Sequence, residues 1–237
     1  MEDIRLDKYI SLSLGVTRTE SKKIIKSKKI QINGNTINDS NYKIKDNDEV
    51  TYNGNIICFE EKIYLMMNKP KGYVCSTIDD KNKTVLELIN NYNTNKLLIV
   101  GRLDIDTTGL LLITNDGDFV HKVTSPNKSI TKKYFVKCDQ EFITDDVRKF
   151  NDGVEIYLDQ NTIYKCKSST LEILDDNTEA YITISEGKYH QVKKMCAAVG
   201  KKVQELKRVQ IGLLKLDEKL SEGSYRKLTS DELETLL

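Results

Sequence analysis

The apolar positions of this 237-residue chain follow two different rhythms. Near the start, Leu6, Tyr9, Ile10 and Ser13 recur at helical spacing, and Gly15 follows where a helix would stop. Thr17 with Glu20 three residues on is a capping-box pattern. It predicts a second helix with Ile24 and Ile25 inward and lysines outward, ending near Lys28. The rhythm then shortens. Ile30 and Ile32 alternate, Asn33-Gly34 turns the chain, and Thr36-Ile37 returns, which is a hairpin signal. Val50 to Ile57 supplies another strand around Asn53-Gly54. Two short helices and a small sheet make one module, residues 1–59.

Glu60-Glu61-Lys62 reads as a charged joint, and residues 60–237 as a second, larger domain. Ile63 to Met67 is an apolar strand running into the loop Asn68-Lys69-Pro70-Lys71-Gly72. Thr84 to Ile89 reads as a short helix, and Leu97 to Val100 and Leu110 to Thr114 as buried strands. Asn115-Asp116-Gly117-Asp118 reads as a turn. Tyr134 to Lys137 and Ala180 to Ser185 alternate as strands do. Tyr189 to Val199 is helical, with Val192, Met195, Cys196 and Val199 on one face and Gly200 at its end. Strands grouped with few helices between them predict an α+β fold on a mixed, largely antiparallel sheet.

Composition narrows the class. With 38% hydrophobic and 31% charged residues the chain is globular rather than disordered. No apolar run approaches the roughly 20 residues that span a bilayer, so no membrane partner is expected, and the acidic, amphipathic MEDIRLDKYI is no secretory signal. Five scattered cysteines with no C-x-x-C pair read as reduced thiols of a cytoplasmic protein rather than a zinc site. Net charge is only +1, but it is unevenly spread. Arg18 to Ile32 holds six basic residues against one acid, and Glu186 to Arg208 holds seven against two. Two local basic patches point to a polyanion, or to two solvated helix faces.

The most informative segment is Gly101-Arg102-Leu103-Asp104-Ile105-Asp106-Thr107-Thr108-Gly109, a loop held between two apolar strands. Asp104 and Asp106 begin like a calcium loop. The fifth position is Thr108 and the twelfth is Asn115, however, so that pattern fails and no metal is expected. Two readings stay open on spacing: a turn whose carboxylates cap backbone amides, and an active-site loop. A glycosidase pair is disfavoured, because acids two residues apart on a loop do not flank a sugar bond from opposite sides.

GRLDIDTTGLLLITNDGD closely resembles the signature of the pseudouridine synthases that act on ribosomal RNA. NKPKGYVCST, the Lys133-Tyr134 pair and EGKYHQVKKMCAAVG follow in the order seen in that family. Arg5 to Val50 resembles an S4-type RNA-binding domain, and KYHQVKKMCAAVG looks most like the small-subunit rRNA member. Large-subunit relatives typically carry an R-N-R/H-E-V-R-R pattern there. The resemblance covers nearly the whole chain.

What the resemblance implies is specific. A uridine is cut from its ribose at N1, rotated and rejoined through C5, with no cofactor or metal. Asp104 matches the family's aspartate, which either attacks carbon or removes a ribose proton. Lys193 stands where many relatives place an arginine that pairs with it; the charge is kept and the bidentate fork is lost. Tyr134 matches a tyrosine that stacks on the target base, although a core aromatic is the plainer reading. Arg102 is expected to fill the gap left by a flipped base, unless it pairs with Asp106. Phosphate and RNA contacts are expected from Arg5, Arg18, Lys22, Lys23, Lys26, Lys69, His190 and Lys194. The expected partner is small-subunit rRNA or an assembly intermediate, bound by a monomer. A catalytically silent assembly factor would have no need of Asp104, Tyr134 and Lys193 together.

Overall fold

A computed structural model describes residues 4–45, 47–58, 62–125 and 128–236. The chain divides into two compact units, Met1–Glu61 and Lys62–Leu237. Of the expected charged joint, Glu60 and Glu61 lie outside the described residues.

The first unit runs β1 (Ile4–Arg5), α1 (Leu6–Leu14), α2 (Arg18–Lys26), β2 (Ile30–Ile32), β3 (Asn35–Thr36), β4 (Lys43–Ile44), β5 (Val50–Tyr52) and β6 (Asn55–Ile56). Gly15 ends α1 in the left-handed region, and the Thr17–Glu20 box caps α2. Both Asn-Gly pairs have positive φ, so each closes a tight hairpin, β2–β3 and β5–β6. Leu6, Ile10, Ile25, Ile30, Ile32, Ile44 and Val50 form the core. Asp7 is buried between the helices and holds Arg5 at 3.0 Å and Arg18 at 2.9 Å. Burial pushes its carboxyl up, but the two guanidinium groups outweigh this and hold it below the usual range.

The second unit runs β7 (Tyr64–Lys69), β8 (Leu98–Val100), β9 (Thr108–Thr114), α3 (Gly117–Thr124), β10 (Lys132–Cys138), α4 (Thr144–Asp152), β11 (Glu155–Tyr157), β12 (Ile163–Lys165), β13 (Thr170–Ile173), β14 (Glu179–Ile184), α5 (Gln191–Ala198), β15 (Val203–Ile211), β16 (Leu214–Lys215), β17 (Tyr225–Lys227) and α6 (Ser230–Glu234). Its main sheet has the order β13-β14-β10-β15-β9-β7-β17, with β16 on β15 and β8 on β9. Every pairing is antiparallel except β15 with β9.

The sheet's centre explains the apolar run Leu110 to Ile113. Leu111 and Ile113 point into one core with Leu65, Met67 and Leu103, while Leu110 and Leu112 point into another with Met66, Phe119 and Val123. All seven residues of β9 are buried, so it reads as a continuous hydrophobic strand covered on both faces. A third core lies under α4 and α5, around Val136, Phe150, Ile182, Met195 and Cys196.

One local expectation changes. Asp116 is not a turn residue; its carboxylate accepts from the amides of Asp118 and Phe119 and caps α3. The segment Thr84 to Ile89 holds a short 3-10 turn, Val85–Leu88.

The second basic patch is also not one surface. Lys201 and Arg208 are buried. Lys201 Nζ meets the buried Asp146 at 2.7 Å, and Arg208 Nε donates to the Leu110 carbonyl at 2.8 Å. Removing one partner of a buried ion pair strands the other charge. Lys201→Met is therefore expected to lower unfolding free energy by about 3–5 kcal/mol in urea titrations. Adding Asp146→Asn should recover most of that loss.

Candidate active site

The loop between β8 and β9 is fixed from below. Gly72 N–H donates to the Ile105 carbonyl at 2.8 Å, Thr107 N–H to the Asp104 carbonyl at 3.1 Å, and Leu103 N–H to Cys75 Sγ at 3.3 Å. Leu103 anchors the loop by burying its side chain beside Leu111. Gly109 then lets the chain pass close to β15: a Cβ there would clash with the Arg208 carbonyl oxygen.

The brace beneath the loop is Lys69. Its side chain is fully buried, and Nζ donates to the carbonyls of Thr107 at 2.8 Å, Asp104 at 3.0 Å and Pro70 at 3.1 Å, with Ile105 at 3.4 Å. Burial pushes the ammonium down, opposed by the nearby Cys75, Asp106 and Asp104. The expectation of a phosphate contact at Lys69 is thus corrected: its donors are spent on the loop backbone and none faces solvent.

Above the loop stands α5. Lys193 Nζ reaches Asp104 Oδ2 at 3.1 Å and Asp106 Oδ1 at 2.6 Å, so one cation bridges both carboxylates. Burial pushes Lys193 down, but the two acids outweigh it and hold it above its ordinary value. The Asp106 carboxyl, pushed up by burial, is held low by Lys193. Asp104 is the more enclosed of the two, with 27% of its side chain exposed against 60% for Asp106. On its other side His190 Nε2 lies 3.4 Å from Asp104 Oδ1. His190 caps α5 in the left-handed region, at φ 52°, which turns the imidazole toward the loop. Sequence spacing gave no sign of this neighbour.

A cleft of about 400 Å³ opens beside the pair, lined by Asp106, Lys193, Asp139, Lys201 and Lys202 among others. Tyr134 on β10 is half-buried and packs against two of the cores, those around Leu103 and around α5. It is therefore both a core aromatic and a residue of this face. Arg102 is exposed and makes no ion pair among the described residues, so the alternative of pairing with Asp106 falls to Lys193. Lys194 donates to the Leu158 carbonyl at 3.0 Å. In the first unit Lys22, Lys23 and Lys26 are exposed, whereas Arg5 and Arg18 are partly engaged by Asp7. A larger cleft, about 910 Å³, lies on the opposite face of the sheet, where Lys133, Phe135 and Tyr181 point.

An enclosed carboxylate held by a cation, on a rigid loop with an exposed arginine beside it, makes this loop the candidate site. The family described as RNA pseudouridylate synthase matches residues 63–198, and that described as S4 domain matches residues 4–50. The ribosomal small subunit pseudouridine synthase A of Salmonella typhimurium (strain LT2) is 41% identical over 231 residues, covering 97% of this chain and 98% of the relative. The protein of the same name from Escherichia coli (strain K12) is 39% identical, covering 99% and 100%. A solved pseudouridylate synthase superposes with a TM-score of 0.70 at 39% identity, covering 99% of this chain and 100% of that one. The chain belongs to the RNA pseudouridylate synthase family, and carries an S4 domain ahead of the catalytic one.

Proposed function

We propose that this enzyme isomerises one uridine of small-subunit ribosomal RNA to pseudouridine, with Asp104 as the catalytic carboxylate. The observation that carries the assignment is Lys193 bridging Asp104 and Asp106 over a loop pinned by Lys69. The RNA substrate follows from full-length relatives named for the small subunit at about 40% identity.

The uridine leaves its stack, at a cost of a few kcal/mol, and Arg102 occupies the vacated space. Asp104 acts at the ribose while the N1–C1′ bond breaks. The base turns, the C5–C1′ bond forms, the C5 proton leaves, and N1 gains one. Lys193 pairs with the carboxylate and aims it, and His190 lies against its other oxygen. Tyr134 supports the uracil ring. No atom is gained or lost overall, so the residues supply position and charge. We place the enzyme in the cytoplasm as a monomer acting on rRNA or an assembly intermediate.

Mapping of pseudouridines in rRNA from cells with and without the gene tests this. One small-subunit site should vanish with the gene. Loss of a large-subunit site instead, or of none, would overturn the assignment.

Exposed lysines of α2 supply affinity without reading sequence. Lys22→Gln, Lys23→Gln and Lys26→Gln together should weaken RNA binding and flatten the slope of log affinity against log salt by about 2. An unchanged slope would remove α2 from the RNA footprint.

A further inference from the structure

The loop from Ser185 to His190, between β14 and α5, is unusually well tied for a surface segment. Glu186 accepts from Tyr164 Oη at 2.7 Å, from Gln191 Nε2 at 2.7 Å and from the Lys167 amide at 3.0 Å. Gln191 Oε1 in turn accepts from the Lys188 amide at 2.9 Å. The residue this scaffold presents to water is Tyr189, 67% exposed and the most exposed aromatic among the described residues.

A rigid loop holding a large apolar ring in solvent needs a reason, and its neighbours provide one. The Tyr189 ring stacks on His190, centroids 3.8 Å apart and planes 20° from parallel. His190 in turn lies 3.4 Å from Asp104. Tyr189 is therefore one ring away from the proposed catalytic carboxylate. Lys194 Nζ lies over the Tyr189 ring, 5.3 Å from its centroid, which adds a cation to the site. An exposed aromatic with a lysine against it is the combination that binds single-stranded nucleic acid, because every base has a π face.

We infer that Tyr189 is a nucleobase-stacking subsite. The base of a nucleotide adjoining the target uridine packs on its ring, which holds the strand in place while the uridine turns toward Asp104. Lys194 serves the same nucleotide's phosphate. This rests on the RNA-modifying reading above. Tyr189 acts by positioning; it does not take part in the bond changes.

The chain has no tryptophan, so Tyr189→Trp places a single indole at this spot. In the full-length Tyr189→Trp, Asp104→Asn protein, transcribed small-subunit rRNA should quench the fluorescence in a saturable way. A short fragment carrying the mapped uridine should do the same. A copy of that fragment abasic at one of the uridine's two neighbours should not.

In steady state, Tyr189→Ala should raise KM about tenfold with kcat within about threefold, and Tyr189→Phe should restore KM. A fall in kcat at unchanged KM would mean that the ring only buttresses His190, and would overturn the proposal. So would unquenched indole, or equal quenching by both abasic fragments. A wild-type protein that makes no pseudouridine would fail the parent reading instead, and quenching of the indole by the rRNA transcript, which needs neither turnover nor a mapped site, would then report the stacking surface on its own.

Discussion

Asp104→Asn is expected to remove pseudouridine formation almost completely, on the order of 10⁴-fold or more, as loss of a single essential group does in other enzymes. RNA binding should survive. The substitution preserves shape and leaves Lys193 its 2.6 Å contact to Asp106, so the loop keeps its place. What is lost is the charge at the ribose. Asp106→Asn is the contrasting case. It removes a more exposed carboxylate and the shorter of Lys193's two contacts, but leaves the Lys193–Asp104 pair. Activity should fall only about tenfold, close to the 1.4 kcal/mol that a single weakened interaction represents. Release of the C5 proton from labelled RNA measures both. If Asp106→Asn were the dead variant and Asp104→Asn the mild one, the two roles would have to be exchanged.

The second large effect is expected at a residue that touches no substrate. Lys69→Met keeps the length of the side chain and removes its donors. The carbonyls of Pro70, Asp104, Ile105 and Thr107 would then face an apolar group in a dry place. A buried carbonyl without a partner costs about 1–3 kcal/mol. Some of these will relax toward water, which leaves a net loss of about 2–5 kcal/mol in urea unfolding. Because the relaxing backbone carries Asp104, turnover should fall by about 10² or more even where the protein is fully folded, since a 1 Å misplacement is enough. A surface lysine bound to phosphate behaves differently. Its loss would spare stability, weaken RNA binding and flatten the salt dependence. That second pattern would restore Lys69 to the RNA footprint.

Much of the first unit was legible because its signals are local. A capping box, a glycine stop and an Asn-Gly turn act within four residues of themselves, and α1, α2 and β2–β3 stand where those residues put them, while the single strand expected from Val50 to Ile57 is the hairpin β5–β6. In the second unit β7, β8, β9, β10, β14 and α5 carry enough periodicity to be read. The strand that organises the sheet, β15, does not: its nine residues alternate weakly and carry three charges or amides, Lys207, Arg208 and Gln210, on buried or half-buried positions. The two-stranded β11–β12 and the short α6 were also beyond local patterns.

The candidate site divides in the same way. Asp104, Arg102, Tyr134 and Lys193 were found through motif resemblance, and the failed calcium spacing needed only counting. Charge, however, is no guide to exposure. Lys69, Lys201 and Arg208 looked like surface cations and are buried braces. His190, expected as an RNA contact, lies against Asp104.

The sequence by itself determined the local elements and the two-part organisation and singled out the loop as the candidate site, because caps, turns and contiguous motifs act over a few residues. Only the tertiary structure decided which cations are spent. That depends on carbonyls and carboxylates brought from distant parts of the chain, as when Lys69 meets the backbone of residues 104 to 107 and Lys193 meets Asp104 across 89 positions.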